Sequence, residues 1–301
     1  MSSVEPPSLD GVIVPPPPSA KALLAAAGLG AKKSWGQNFL LDQKVLADIA
    51  ALAGAGPGQA VLELGAGLGA LTHHLLARGA RVTAVERDRE LVPVLKQALA
   101  WAGDRLVVLE ADAARLDYAE LAAHSGSPLT VAGNLPYQLS SRILVSLADA
   151  RPHVARAVLL VQKEVAERLS APPGSKVYGL LSVLVQRHVE ARTARAVSPG
   201  AFLPPPKVHS AVVVLTARPG GRDPALDAAL VATARAAFHS RRKTLRAGLA
   251  GALRAAPALV EAALVEAGVD PSARAETLEV ASFERLGAAL AQRGLLPPPS
   301  P

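Results

Sequence analysis

Apolar residues in the first two thirds of the chain come in short unbroken runs separated by stretches of helical length. Val61, Leu62 and Leu64 make one run, Ala80 to Val85 a second, Leu106 to Leu109 a third and Leu129 to Ala132 a fourth. Runs this short, bounded by glycine or acidic residues, read as strands buried on both faces. Gln43 to Ala53, the residues after Ala70 and Leu91 to Ala100 carry helical periodicity, and a short helix is expected around Lys21 to Ala27. Three more strands are predicted near Ala157 to Val161, Leu180 to Gln186 and Ala211 to Thr216, separated by the helical QKEVAERL segment and the loop SPGAFLPPPKVHS. Strands alternating with helices predict an α/β fold, a doubly wound and largely parallel sheet of seven strands.

Beyond Arg218-Pro219-Gly220-Gly221 the strand signals stop, and Pro224 to Arg293 shows only helical periodicity. The expected organisation is therefore a proline-rich disordered tail over residues 1–20, an α/β domain over 21–220, a small all-helical domain over 221–296 and a frayed end over 297–301. The 301 residues, half of them apolar, suffice for one large core and a smaller one. No run approaches the roughly 20 apolar residues of a membrane span, and the N-terminus lacks the basic-then-apolar order of a secretory signal. The absence of cysteine excludes disulfides and thiolate metal sites and suits a cytoplasmic location. A net charge of +7 favours a polyanionic partner.

Candidate chemistry gathers where the first strand ends. Gly65, Gly67 and Ala70 follow it as a tight turn into a helix, a G-x-G-x-x-G/A pattern whose backbone a nucleotide can approach closely. The second strand ends in Glu86, about twenty residues on, placed to accept both hydroxyls of a ribose. NAD, FAD and S-adenosyl-L-methionine (SAM) all fit such a unit. Glu63, inside the first strand, suits a ligand bearing an ammonium and a sulfonium better than a pyrophosphate. Asp112, just past the third strand, can accept from an adenine amine or cap a helix.

The fourth strand runs into Gly133-Asn134-Leu135-Pro136-Tyr137. An adenine N6 lone pair is delocalised into the ring, and two acceptors gripping the amine hydrogens pull that nitrogen toward a tetrahedral, more nucleophilic geometry. The Asn134 side-chain oxygen and a backbone carbonyl held by the following proline supply that pair, and Tyr137 can stack on an extruded base. A turn built from the same residues is the structural alternative. Only four Phe, three Tyr and two Trp occur, yet Trp35, Phe39, Tyr137 and Phe202 all fall beside polar or proline-rich motifs. Phe202 is expected to close the other face of the base. Lys32 and Lys33 flank Trp35, while Arg241, Arg242, Lys243 and Arg246 are expected on the first long helix of the second domain, where both groups can track phosphates. Adjacent His73 and His74 point apart on a helix, so no metal site is expected.

In this order KKSWGQNFLLD, VLELGAGLGALT, VERD, EADA, NLPY, QKEVAERL, YGLLSVLVQ, FLPPPKVHS and RRKTLR make the chain resemble the ribosomal RNA adenine N6,N6-dimethyltransferases of the KsgA/RsmA family, relatives of the erythromycin-resistance rRNA methylases. The resemblance implies a Rossmann-like SAM-dependent methyltransferase domain with a helical RNA-binding domain. It implies SAM contacts at Asn38, Leu40, Gly65, Glu86, Asp112 and Asn134, a catalytic motif of Asn134, Leu135, Pro136 and Tyr137, and a hold on the target adenine by Phe202. Its substrate would be two adjacent adenines in the 3′-terminal hairpin of 16S rRNA, methylated on the assembling 30S subunit by a monomer without metal or membrane. Two departures stand out: the N-terminal extension is long, and His209 replaces the more usual Asp. The competing expectations are a noncatalytic RNA-binding assembly factor, which the intact Asn-Leu-Pro-Tyr opposes, and an NAD-dependent oxidoreductase, which lacks an acid/base at the fourth strand.

Overall fold

A computed structural model describes residues 14–32, 35–125, 127–221, 223–240 and 242–297. After helix α1 (Ala20–Ala27) and the two-residue strand β1 (Phe39–Leu40) come α2 (Gln43–Leu52), β2 (Ala60–Leu64), α3 (Ala70–Ala77), β3 (Arg81–Glu86), α4 (Leu91–Ala98) and β4 (Leu106–Glu110). The alternation continues through α5 (Tyr118–Ser125), β5 (Leu129–Asn134), α6 (Ser140–Asp149) and β6 (Val154–Gln162). Then follow α7 (Lys163–Leu169), α8 (Leu180–Gln186), β7 (Val189–Val197), β8 (Phe202–Leu203) and β9 (Ser210–Ala217). Four helices end the chain: α9 (Pro224–Phe238), α10 (Leu245–Leu253), α11 (Pro257–Glu266) and α12 (Val280–Gln292).

Seven strands form one sheet in the order β4-β3-β2-β5-β6-β9-β7. β4, β3, β2, β5 and β6 run parallel to their neighbours, and β9 pairs antiparallel with β6. The most deeply buried strands, β2, β3, β5, β6 and β9, take the middle of the sheet. At Gly133 a side chain could not be accommodated, since a Cβ there would lie 2.5 Å from the Leu64 carbonyl oxygen of the neighbouring strand.

Two sequence-based expectations fail here. Leu180 to Gln186 is helix α8, not a strand, its first turn fixed by the Gly179 N–H donating to Ser182 Oγ (3.1 Å). A short continuous apolar run looks the same in a buried helix and a buried strand, so periodicity could not decide. The seventh strand is instead β7, VEARTARAV, whose interior is largely exposed. It lies at the sheet's edge, where charged side chains guard against pairing with another chain. β4 is likewise an edge strand and only partly buried.

The chain divides into two compact units, and the division is not the expected cut near residue 220. One unit runs to Ala166 and resumes over Ala191–Ala217, while the other comprises Glu167–Glu190 and the chain from Arg218 onward. In the second unit Asp223 caps α9 through the N–H groups of Ala225 and Leu226, with Pro224 at the first helical position. Tyr178, Val183, Leu230, Phe283, Leu286 and Leu290 fill its core, and the Tyr178 hydroxyl donates to the Leu278 carbonyl (2.9 Å). Of the proline-rich beginning, residues 1–13 lie outside the described part. Pro15, however, accepts a hydrogen bond from the buried His73 Nε2 of α3 (2.8 Å), so that stretch of the expected tail is anchored.

Candidate active site

From β2 the sheet grows both ways, through β3 and β4 on one side and β5 and β6 on the other. In open α/β sheets a ligand crevice opens at that reversal, beyond the carboxyl ends of the strands. Here it is a cleft lined mainly by apolar surface with a few convergent polar groups, as small-molecule sites are. Its walls come from Trp35 to Phe39, the turn at Gly65 and Gly67, Val85 to Arg87, Ala111 to Ala113, and Asn134 to Tyr137, with Leu91, Leu139 and Ile143 adding apolar surface.

The glycine turn is built by backbone conformations that favour glycine. Gly65 and Gly67 have φ of 73° and 56°. A Cβ on Gly65 would sit 3.4 Å from the Asn134 carbonyl oxygen, so the ends of β2 and β5 meet there. Glu86 closes the other side. Only 7% exposed, its carboxylate accepts from Gly67 N–H through Oε2 and from Asp88 N–H through Oε1, each at 2.8 Å. Burial pushes its pKa up, against the pull of those N–H groups. Each oxygen keeps lone pairs for a ribose hydroxyl.

The N-terminal motif reaches the same place through Asp88. That carboxylate accepts from Lys32 Nζ (2.7 Å) and Gln37 Nε2 (2.8 Å). Burial raises its pKa, but the hydrogen bonds from Lys32 and Gln37 outweigh burial and hold it below the usual carboxylate value. Arg87 and Lys32 lie 4.3 and 4.9 Å from the Trp35 ring centre, cation–π distances. Asn38 donates to the Gly36 carbonyl (3.0 Å) and accepts, through its own carbonyl, from Asn134 Nδ2 (2.9 Å). With its NH₂ so engaged, the Asn134 amide keeps Oδ1 as an acceptor. Leu135 N–H donates to Leu160 in the neighbouring strand (3.1 Å), and Leu135 itself is fully buried. The Tyr137 hydroxyl is 2.7 Å from Ser210 Oγ, and burial pushes its pKa up, with Ser210 pulling the other way.

Of the residues singled out in the sequence, Asn38, Gly65, Glu86, Asp112, Asn134, Leu135, Pro136 and Tyr137 are brought together in the cleft. Asp112 also caps a short turn, accepting from Ala114 N–H (2.9 Å). Others stand elsewhere. Leu40 and Phe202 are paired residues of β1 and β8 and belong to the hydrophobic core, Phe202 being 3% exposed. In an aromatic-poor chain a phenylalanine beside prolines suggested a stacking surface, but the apolar side chains around it bury it first. Glu63 is 1% exposed, has an Oε2 with no hydrogen-bond partner and does not line the cleft. Burial pushes it up to about 8, so at neutral pH it is no anion for a sulfonium to meet, and the argument drawn from it fails.

The basic residues are also redistributed. Lys32 is engaged by Asp88 and Glu90; Lys33 and Arg241 lie outside the described residues. RRKTLR does not run along one helix, because α9 ends at Phe238 and Thr244 caps α10. Arg242 and Lys243 are exposed in the connecting turn, whereas Arg246, in the first turn of α10, pairs with Glu261 at 3.0 Å. Sequence reasoning missed Gln37, Asp88 and Ser210. Asp88 stood in the quoted VERD and Gln37 in KKSWGQNFLLD, but their partnership spans 51 residues and no local spacing signals it. Among the described residues no helix is long and apolar enough to cross a membrane.

A glycine turn facing a buried ribose-height carboxylate, with amide and carbonyl acceptors across the cleft, suits methyl transfer from SAM to a planar amine. The chain belongs to the ribosomal RNA adenine dimethylase family, whose model matches residues 28–292. The protein called ribosomal RNA small subunit methyltransferase A in Anaeromyxobacter sp. (strain K) is 56% identical over 280 residues, 89% of this chain and 96% of that one. Its namesake in Myxococcus xanthus (strain DK1622) is 47% identical over 277 residues, 89% and 94% of the two chains. Among solved structures, a dimethyladenosine transferase from Plasmodium falciparum superposes with a TM-score of 0.67 at 25% identity, covering 85% of this chain and 98% of that one. The 23S rRNA methyltransferase ErmE gives 0.63 at 30% identity, covering 85% and 100%. The protein is a SAM-dependent methyltransferase of ribosomal RNA adenines.

Proposed function

We propose that this chain dimethylates N6 of two adjacent adenines in the 3′-terminal hairpin of 16S rRNA, acting as a cytoplasmic monomer on the 30S subunit during its assembly. The choice of subunit is supported by its relatives: 56% identity to a small-subunit methyltransferase against 30% to a 23S enzyme. Within the cleft, Glu86 binds the ribose, Asn38 and Asp112 flank the adenine end, and Gly65 and Gly67 let the backbone close on the ligand. When bound, SAM supplies a methyl group on a sulfonium, so the protein needs no metal and must align donor with acceptor. Asn134 Oδ1 and the Leu135 carbonyl accept the two amine hydrogens and direct the nitrogen lone pair toward the donor. Tyr137 stacks on the base, and Leu135 anchors the motif in the core. Arg242 and Lys243, with Arg241 beside them in sequence, contact phosphates.

The observation that carries this reading is the Asn134 Nδ2 bond to the Asn38 carbonyl at the sheet's reversal point, which holds the amide with its oxygen as the remaining acceptor. Mass analysis of the 16S 3′-terminal hairpin from a strain lacking this protein tests it. Unmethylated adenines there are expected; normal dimethyladenines would overturn the assignment, and loss of methyl groups from 23S rRNA instead would move the substrate to the large subunit.

A further inference from the structure

Asp88 is 2% exposed and does not line the cleft, yet it is joined to both of the cleft's working ends. On one side its backbone N–H donates to Glu86 Oε1 (2.8 Å). On the other, its two carboxylate oxygens are divided between Lys32 Nζ (2.7 Å) and Gln37 Nε2 (2.8 Å), with Glu90 N–H adding a bond to the first (3.2 Å). Gln37 is held at both ends of its amide, since its Oε1 accepts from the Lys32 N–H (2.8 Å). The next residue along, Asn38, offers the carbonyl that takes Asn134 Nδ2 (2.9 Å). Short polar contacts therefore link Glu86 to Asp88 and Asp88 to Gln37, the backbone carries the link on to Asn38, and Asn38 holds Asn134.

We infer that Asp88 is a positioning residue that couples the cofactor carboxylate, Glu86, to Asn134 through the Trp35 to Asn38 segment. The inference rests on the reading of Asn134 as the group that takes the amine hydrogens. The alternative is an ion pair that merely tethers a loop. Asp88 is buried but Lys32 is partly exposed, so their attraction is screened and adds little net stability; what the pair offers the site is a fixed geometry. Geometry is what this site requires: an amide that has rotated or shifted by an ångström no longer faces the amine, and such misplacements can lower rates about a hundredfold. Lys32 thereby acquires a role other than phosphate contact.

The test uses the full chain with Asp88→Asn and Lys32→Met, each alone and each combined with Asn134→Ala. Single-turnover methylation of small-subunit particles at saturating SAM gives the rate, calorimetry the SAM affinity, and thermal melting the stability. Asp88→Asn keeps the size but exchanges one accepting oxygen for an NH₂ that cannot accept from Lys32 or Gln37, and Lys32→Met removes one donor to the carboxylate together with the charge over Trp35, so failure of one to fold leaves the other informative. Each single variant is expected to weaken SAM binding and to lower the methylation rate about ten- to a hundredfold. In the Asn134→Ala background neither should lower the rate further, although SAM binding still weakens. Unchanged rates at saturating SAM, with only the melting temperature lowered, would reduce Asp88 to a tether and overturn the inference. So would an undiminished rate loss in the Asn134→Ala background. If Asn134→Ala alone keeps its full rate, the catalytic reading of Asn134 has failed, and the inference goes with it.

Discussion

Glu63 and Glu86 occupy neighbouring strands, both are nearly sealed from solvent, and burial raises the pKa of both. They differ in where along the strand they stand. Glu86 is the last residue of β3, and the turns beyond the strand ends bring it two N–H groups. Glu63 lies within β2, paired in register with Ala84 and Ala132, where the backbone groups of its neighbours are spent on the sheet, and one of its oxygens has no partner. The same side chain thus gathers backbone N–H donors and lines the cleft at a strand end but is held protonated inside the sheet. Strand interiors supply packing, while strand ends, with backbone groups to spare, supply chemistry.

If that distinction holds, Asn134→Ala, at the end of β5, has the largest effect. Turnover should fall about a hundred- to a thousandfold, as for other losses of a group that stabilises developing charge, with rRNA affinity nearly intact; filter binding and initial rates on purified small subunits separate the two. Next comes Glu86→Ala, expected to weaken SAM binding about ten- to a hundredfold through loss of roughly 1.5–3 kcal/mol of charge-assisted hydrogen bonding. Calorimetry with SAM and NAD decides, and tight NAD binding would reverse the cofactor assignment.

Glu63→Gln should leave SAM affinity unchanged and act on stability instead. Glu63 titrates near 8 against an ordinary value of 4.5, so its proton is held by the folded and not the unfolded chain between those values. Its contribution to stability is complete below the lower value, declines as pH rises, and is gone above the upper one. Melting temperatures from pH 5 to 8 should therefore fall less steeply in Glu63→Gln than in the parent. Glu86 contributes a slope of the same sign to both proteins, so the difference reports Glu63 together with its repulsion from Glu86. A loss of SAM affinity in this variant would erase the contrast between the two carboxylates. The smallest effect concerns cations outside the sheet. Arg242→Ala with Lys243→Ala should flatten the salt dependence of subunit binding by up to about 1.4 to 1.8 units, from roughly 0.7 to 0.9 for each phosphate contact, with SAM binding untouched. An unaltered slope would make the α9–α10 turn a solvated surface.

The strand-end chemistry was legible in the sequence because it is local. Gly65, Gly67, Glu86 and the Asn-Leu-Pro-Tyr run each announce a turn or a cap within a few residues, and the parallel order follows from alternating elements. What was not legible depends on distant partners. Lys32 reads as a free cation until Asp88 is beside it, Phe202 as a stacking ring until the core closes over it, and Glu63 as a ligand contact until its register is known. Leu180 to Gln186 carried no period to tell helix from strand, and β7 hid because an edge strand shows charged residues where an interior one shows an apolar run.

The helical unit's two-part make-up has a consequence for synthesis. Residues Glu167–Glu190 leave the ribosome well before α9 to α12, yet Tyr178 and Val183 are buried by Leu230, Phe283 and their neighbours. The early segment must wait with its apolar side chains uncovered until α9 to α12 have been translated, and uncovered apolar surface of this kind is prone to aggregate. Stopping translation near residue 220 would not release a clean α/β domain but one carrying an orphaned piece of the other core, Glu167–Glu190.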